Sequence, residues 1–296
     1  MTAPRLAFSA SAILVLAVLS GLAAIAYFRW FRLTRPAVGV FNGPDVIVMM
    51  GFVVVIPFGY LALPGWGLRV VLAAVLFGGL MVGYEPVVRR AGVRCAAVLV
   101  LLAVDAVAGG GWYWLANSLL VLLMVVAAAN LSVQGGLRLR HVGIFVLCLG
   151  CYDVFFATVV PLTQRLAEAV DGQPFAPMAG LRVGELGAAV GMGDLLAYAL
   201  YAAAAFKAYG RRGGAVALVL IATFGALLPA LAPAAIEAVT GQLPTLMPAQ
   251  AFFGPAGYLG YLILRRHGPE RRMAELVHNP LRQRIADPSR SGSLNP

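Results

Sequence analysis

The chain has 296 residues, of which 61% are hydrophobic and 11% charged, with a formal net charge of +10. Soluble domains are roughly 45–50% apolar and about one quarter charged, so a water-soluble fold is excluded because it could not cover this much apolar surface. The basic excess does not indicate nucleic acid. Most of the arginines stand between apolar stretches or after the last one, and the single lysine, Lys207, at the end of one, where they act as orientation signals and lipid headgroup contacts. Abundant Ala, Gly and Arg beside one Lys point to a GC-rich genome, and so to the cytoplasmic membrane of a prokaryote.

In chain order, nine apolar runs bounded by Arg, Gly or Pro clusters are predicted to span: 7–28, 39–62, 68–84, 95–110, 112–130, 142–162, 186–208, 214–236 and 246–264. A hydrocarbon core of roughly 30 Å needs about 20 residues of helix, so the predicted fold class is an all-α polytopic membrane protein. The first run is longer than the roughly 7–15 apolar residues of a signal peptide. Most of its flanking charge, Arg29, Arg32 and Arg35, follows it, so it reads as a first spanning helix. The boundary between the fourth and fifth runs rests on Gly109–Gly111. Arg29/Arg32/Arg35, Arg89/Arg90/Arg94, Arg138/Arg140 and Lys207/Arg211/Arg212 fall in alternate loops. The positive-inside rule then puts the N-terminus outside and the C-terminus in the cytoplasm. Residues 265–296 form a basic, polar tail expected to lie unpacked on anionic lipid. Cys95, Cys148 and Cys151 lie in or beside apolar runs and indicate no disulfide framework.

Asp105, Asp153 and Asp194 lie well inside these runs, whereas Asp45, Glu85, Glu185 and Glu237 fall at predicted ends. An Asp at the centre of a spanning helix costs roughly 2.5–3.5 kcal/mol, which marks such residues as functional candidates. Asp153 lies 13 residues after Arg140, and Asp194 lies 13 residues before Lys207. At about 1.5 Å per residue both carboxylates sit about 20 Å from the same flank, on consecutive antiparallel helices. Two carboxylates that meet in a low dielectric share one proton. Such a pair takes a proton from an attacking water with one acid and gives one to the scissile carbonyl with the other, and no metal or organic cofactor is needed. Gly191 and Gly193, just before Asp194, are expected to let the sixth and seventh helices approach closely. Asp105 is expected to bond to Asn117 or to face water near the outer surface.

These residues resemble the motifs of the GxGD intramembrane aspartyl proteases, the presenilin and signal peptide peptidase family. Tyr152-Asp153-Val154-Phe155-Phe156 resembles the family's YD motif, closest to the signal peptide peptidase branch, and Gly191-Met192-Gly193-Asp194 resembles its GLGD. The third motif, Pro-Ala-Leu, has two candidates. Pro229-Ala230-Leu231 matches the letters inside the eighth run, and Pro244-Thr245-Leu246 opens the ninth at the spacing the family requires. The second is preferred, with Thr in place of Ala. The resemblance implies Asp153 and Asp194 as catalytic residues, with Tyr152, Gly191, Gly193, Pro244, Thr245 and Leu246 shaping the site. It covers roughly 150 to 250, while the first five helices agree only in number.

The family resemblance implies substrates that are transmembrane peptides or membrane proteins, of type II orientation, such as signal-peptide remnants. No obligate protein partner is indicated, and the bilayer itself is the remaining partner. The chain then divides into helices one to five as scaffold (1–141), catalytic helices six to nine (142–264) and the tail (265–296). The stretch from Thr163 to Glu185 is expected to offer an extended edge around Leu181-Arg182-Val183 for an unwound substrate. Two other readings compete. Type IV prepilin peptidases also carry GxGD but continue with Lys two residues later, where this chain has Leu195-Leu196. A proton-coupled transporter explains intramembrane acids equally well, but not the ordered motifs.

Overall fold

The computed structural model describes residues 3–33, 43–160, 162–241, 247–271 and 273. Among the described residues, six helical stretches are long and apolar enough to cross a bilayer: Pro4–Trp30, Gly43–Ala62, Gly65–Gly83, Gly111–Gln134, Leu139–Thr158 and Met192–Thr240. In chain order the helices are α1 (Ala3–Trp30), α2 (Gly43–Ala62), α3 (Gly65–Gly83), α4 (Ala91–Val107), α5 (Gly111–Gln134), α6 (Leu139–Thr158) and the short α7 (Leu162–Val170). After a β-hairpin come α8 (Met192–Leu220), a π-helical segment (Ile221–Leu227), α9 (Leu228–Thr240) and α10 (Ala249–Arg265). Each of the nine predicted runs becomes helical over most of its length. The fourth and ninth, α4 and α10, are 17 residues each, about 25 Å of helix.

The stretch 192–240 is not one rod. Gly210, at φ 66 and ψ −145, breaks it into an arm 192–209 and a second arm from 211 onward. Only glycine adopts that conformation without strain. The second arm folds back so tightly that a Cβ on Gly213 would lie 2.2 Å from the Ala205 carbonyl oxygen. Further along, Pro229 lacks the N–H that would bond to the Gly225 carbonyl four residues earlier. The Tyr198 hydroxyl donates to that oxygen instead, at 2.7 Å.

The first arm of α8 is the centre of the molecule. Leu195 and Ala197 through Ala205 are buried, with α1, α5, α6 and α10 around them. Alanine allows this because apolar lipid gives helices no hydrophobic reason to associate, so small side chains and close packing must supply it. Lys207, read from the sequence as a loop charge, is instead buried near the end of this arm. Its ammonium donates to the carbonyls of Val133, at 3.1 Å, and Leu137, at the C-terminal end of α5, where a cation is favoured.

A second correction concerns 186–208, expected to be helical throughout. Its first six residues are a strand. Strands β1 (Met178–Val183) and β2 (Leu186–Gly191) pair antiparallel, with Met178 opposite Gly191 and Val183 opposite Leu186. Helix α5 holds this hairpin. The Ser118 hydroxyl donates to the Gly180 carbonyl, at 2.7 Å, and accepts from the Gly180 N–H, at 2.8 Å, and Asn117 donates to the carbonyls of Ala176 and Met178. Asp105 does not bond to Asn117 but accepts the Phe175 N–H at 2.7 Å, so both residues fasten the same entry to β1.

The tail also departs from expectation where it is described. Glu270 accepts the first amides of α6, from Leu139 and Arg140, at 3.0 Å each, and Arg271 donates to the Ala208 carbonyl at 3.1 Å. The segment after Arg265 thus docks onto α6 and α8 instead of floating on lipid. Residues 274–296, also expected to be unpacked, lie outside the described residues.

Candidate active site

Asp194 sits in the first turn of α8, three residues after Gly191, whose extended backbone (φ −61, ψ 143) ends β2 and caps the helix. The last rung of the hairpin, the Met192 N–H to the Pro177 carbonyl at 2.8 Å, fixes where the helix begins. A carboxylate in a helix's first turn is favoured by the amides that point at it. Asp153 comes from the later part of α6. Both acids line one cavity of about 390 Å³, together with residues of α1, α7, the hairpin and α9.

Gln250, in the first turn of α10, joins the two acids. Its main-chain N–H donates to Asp153 Oδ2 at 3.0 Å, and its side-chain Nε2 donates to Asp194 Oδ1 at 2.8 Å. An N–H in the first turn of a helix has no partner within that helix. Asp153 therefore acts as a capping group for α10, supplied from another helix. The sequence reading missed Gln250. A polar residue two positions after Pro248, at the head of an apolar run, was the signal available.

The other predicted site residues divide. Gly191 lines the cavity, and a Cβ there would come within 3.3 Å of Asp194 Oδ2, so its bareness leaves the carboxylate room. Gly193 has open space where a Cβ would be, so these glycines do not bring α6 and α8 together as expected. The close approach is between α6 and α10. A Cβ on Gly150 would meet the Gln250 carbonyl oxygen at 2.8 Å, and one on Gly254 would meet the Val146 carbonyl oxygen at 2.4 Å. Tyr152 is not part of the cavity wall; its ring packs on Phe156 with centroids 4.5 Å apart. Pro229 and Ala230 do line the cavity. Pro244, Thr245 and Leu246 lie outside the described residues. Met247 and Ala249, just beyond them, are in the wall.

No family model matches the sequence, and no curated protein matches it. The fold is similar to the solved structure of a presenilin family intramembrane aspartate protease. The TM-score is 0.56 at 14% sequence identity, over 90% of this chain and 100% of that one. The two chains therefore share an architecture over most of this chain's length, with few residues in common.

Proposed function

We propose that this chain is an intramembrane aspartyl protease, with Asp153 and Asp194 as the catalytic pair. The observation that carries the reading is two carboxylates from different helices on one cavity, joined by a single bridging residue, in a fold similar to that of a presenilin family protease. The pair holds one proton between its members. The ionised acid takes a proton from water as the water oxygen adds to the scissile carbonyl, and the protonated acid gives its proton to the carbonyl oxygen. The roles then exchange to protonate the departing amine. Gly191 keeps space beside Asp194, and Met247 and Ala249 complete the wall; the family resemblance adds Pro244, Thr245 and Leu246 as residues that shape the site.

A peptide bond within a helix is hidden by its own hydrogen bonds, so the substrate must unwind. The edge proposed for strand addition is that of β2, which borders the cavity, in place of the β1 edge around Leu181-Arg182-Val183. Ser118 already occupies β1's outer edge at Gly180, whereas the register turns the amides and carbonyls of Gly187, Ala189 and Gly191 away from β1. Ala189, Val190 and Gly191 border the cavity beside Asp194. An extended substrate pairing there presents its backbone to the acids while its side chains take pockets on either side. Substrates are type II segments such as signal-peptide remnants, with the N-terminus of the enzyme outside and its C-terminus in the cytoplasm of a prokaryote.

The test uses purified protein in liposomes with a labelled type II signal-sequence peptide, read by mass spectrometry. Wild type cuts within the hydrophobic segment, and Asp153→Ala and Asp194→Ala, still folded, lose about 10³-fold or more in rate. A wild type that cuts none of a panel of such peptides and binds no aspartyl-protease transition-state analogue would sink the assignment. Proton-coupled flux would then be measured.

A further inference from the structure

We infer that Gln250 is the positioning residue of the Asp153/Asp194 pair, and that its side-chain amide turns to follow the proton on Asp194. This rests on the protease reading above. Three observations carry it.

The first is that one residue reaches both acids through two different groups, the main-chain N–H for Asp153 and the side-chain amide for Asp194. The separation of the carboxylates is thereby tied to the covalent geometry of a single glutamine. The second is that Gln250 has little freedom to move. It is 4% exposed, and α6 passes so close at Gly150 that a Cβ there would meet the Gln250 carbonyl oxygen at 2.8 Å. The backbone that carries the bridge is thus clamped against the helix that carries Asp153.

The third is an orphan: Oε1 of Gln250 is buried and has no hydrogen-bond partner among the described residues. A buried acceptor without a donor is unfavourable and calls for a physical reason. The chemistry of the pair supplies one. A carboxylate needs a donor and a protonated carboxyl needs an acceptor, and a glutamine amide is both, exchanged by a half-turn about its last torsion. With Asp194 ionised, Nε2 donates to Oδ1, the arrangement observed. With Asp194 protonated, the turned amide presents Oε1 and accepts the Asp194 O–H. Gln250 can therefore support Asp194 in both halves of a cycle in which the acids exchange roles. A leucine or methionine at this position could support neither.

The experiment compares wild type, Gln250→Met and Gln250→Glu in the same liposome cleavage assay across pH, with thermal melting as the check on folding. Methionine keeps the length of the side chain and the main-chain N–H but loses the amide. Its kcat is expected to fall at least tenfold while KM stays within about twofold, and the acid limb of its profile to move to higher pH by about one unit, because a donor to the ionised carboxyl is gone. Glutamate can donate only when protonated, so Gln250→Glu is expected to retain cleavage on the acid side and lose it as pH rises. A Gln250→Met protein with wild-type kcat and an unchanged pH profile overturns the inference and leaves the protease reading intact. A wild type that cleaves nothing overturns both. The side-chain 15N resonances of Gln250, assigned by their absence in Gln250→Met, give a readout independent of cleavage. They should move with pH in wild type and stay still in Asp194→Asn, and identical behaviour in the two proteins would also overturn the inference.

Discussion

Helices α2 and α6 are both apolar and both 20 residues long, yet they are built in opposite ways. Of the most apolar stretch of α2, 6% is buried, and Ile47, Phe52 and Val55 point outward; for α6 the share is 44%, and for α5 56%. Gly43, Gly51 and Gly59 in α2 have nothing within 4 Å of where a Cβ would stand, whereas Gly150 in α6 is pressed against the main chain of α10. On the periphery any apolar side chain meets the requirement, because lipid is the solvent and imposes no shape. Beside the acids the requirement is for missing atoms at particular places, because the backbone of α10 must come close enough to α6 for the Gln250 N–H to reach the Asp153 carboxylate.

Three substitutions grade that contrast. Gly254→Val should have the largest effect. The added atoms have no room against the Val146 carbonyl oxygen, and overpacking of this kind costs roughly 3 kcal/mol. Moving α10 off α6 also carries the Gln250 amide away from Asp153, so both the melting midpoint in detergent and peptide cleavage should fall together. A variant that melts lower yet cleaves normally would separate helix contact from site geometry. Ser118→Ala comes next. It strips both hydrogen bonds from the outer edge of β1 at Gly180, a loss of about 1–2 kcal/mol. Hydrogen exchange should rise across 178–191 while the α6–α10 contact keeps its protection; uniform loosening of the whole chain would contradict this division. Gly51→Ala should change least, within about 0.5 kcal/mol in either direction, with unaltered cleavage. A marked loss would mean that α2 touches more than the present packing requires.

Much of this was legible in the sequence, and the failures have identifiable causes. The apolar runs and the two acids stand out because charge inside hydrocarbon is costly, so Asp153 and Asp194 needed no structural information to be singled out. The strand β2 was hidden because Leu186 to Lys207 is almost unbroken small and apolar sequence. A run with no polar alternation reads the same whether its backbone is extended or coiled. The partner of α6 was hidden for another reason. Sequence order suggests that consecutive helices pack together, whereas Gly150 and Gly254 join helices that two spanning arms separate along the chain. Lys207 misled because a basic residue at the end of a run usually marks an aqueous loop, and here it finds carbonyl oxygens at a helix end instead.

The order in which the helices leave the ribosome gives the bridge at Gln250 a further meaning. A chain extended only as far as α9 already contains Asp153 and Asp194, but neither of the donors that join them, since both belong to one residue at the head of α10. Synthesis thus delivers the bridge after both acids. An unfinished chain, still attached to the machinery that inserts it among other newly made membrane segments, has both carboxyl groups but not the residue that joins them.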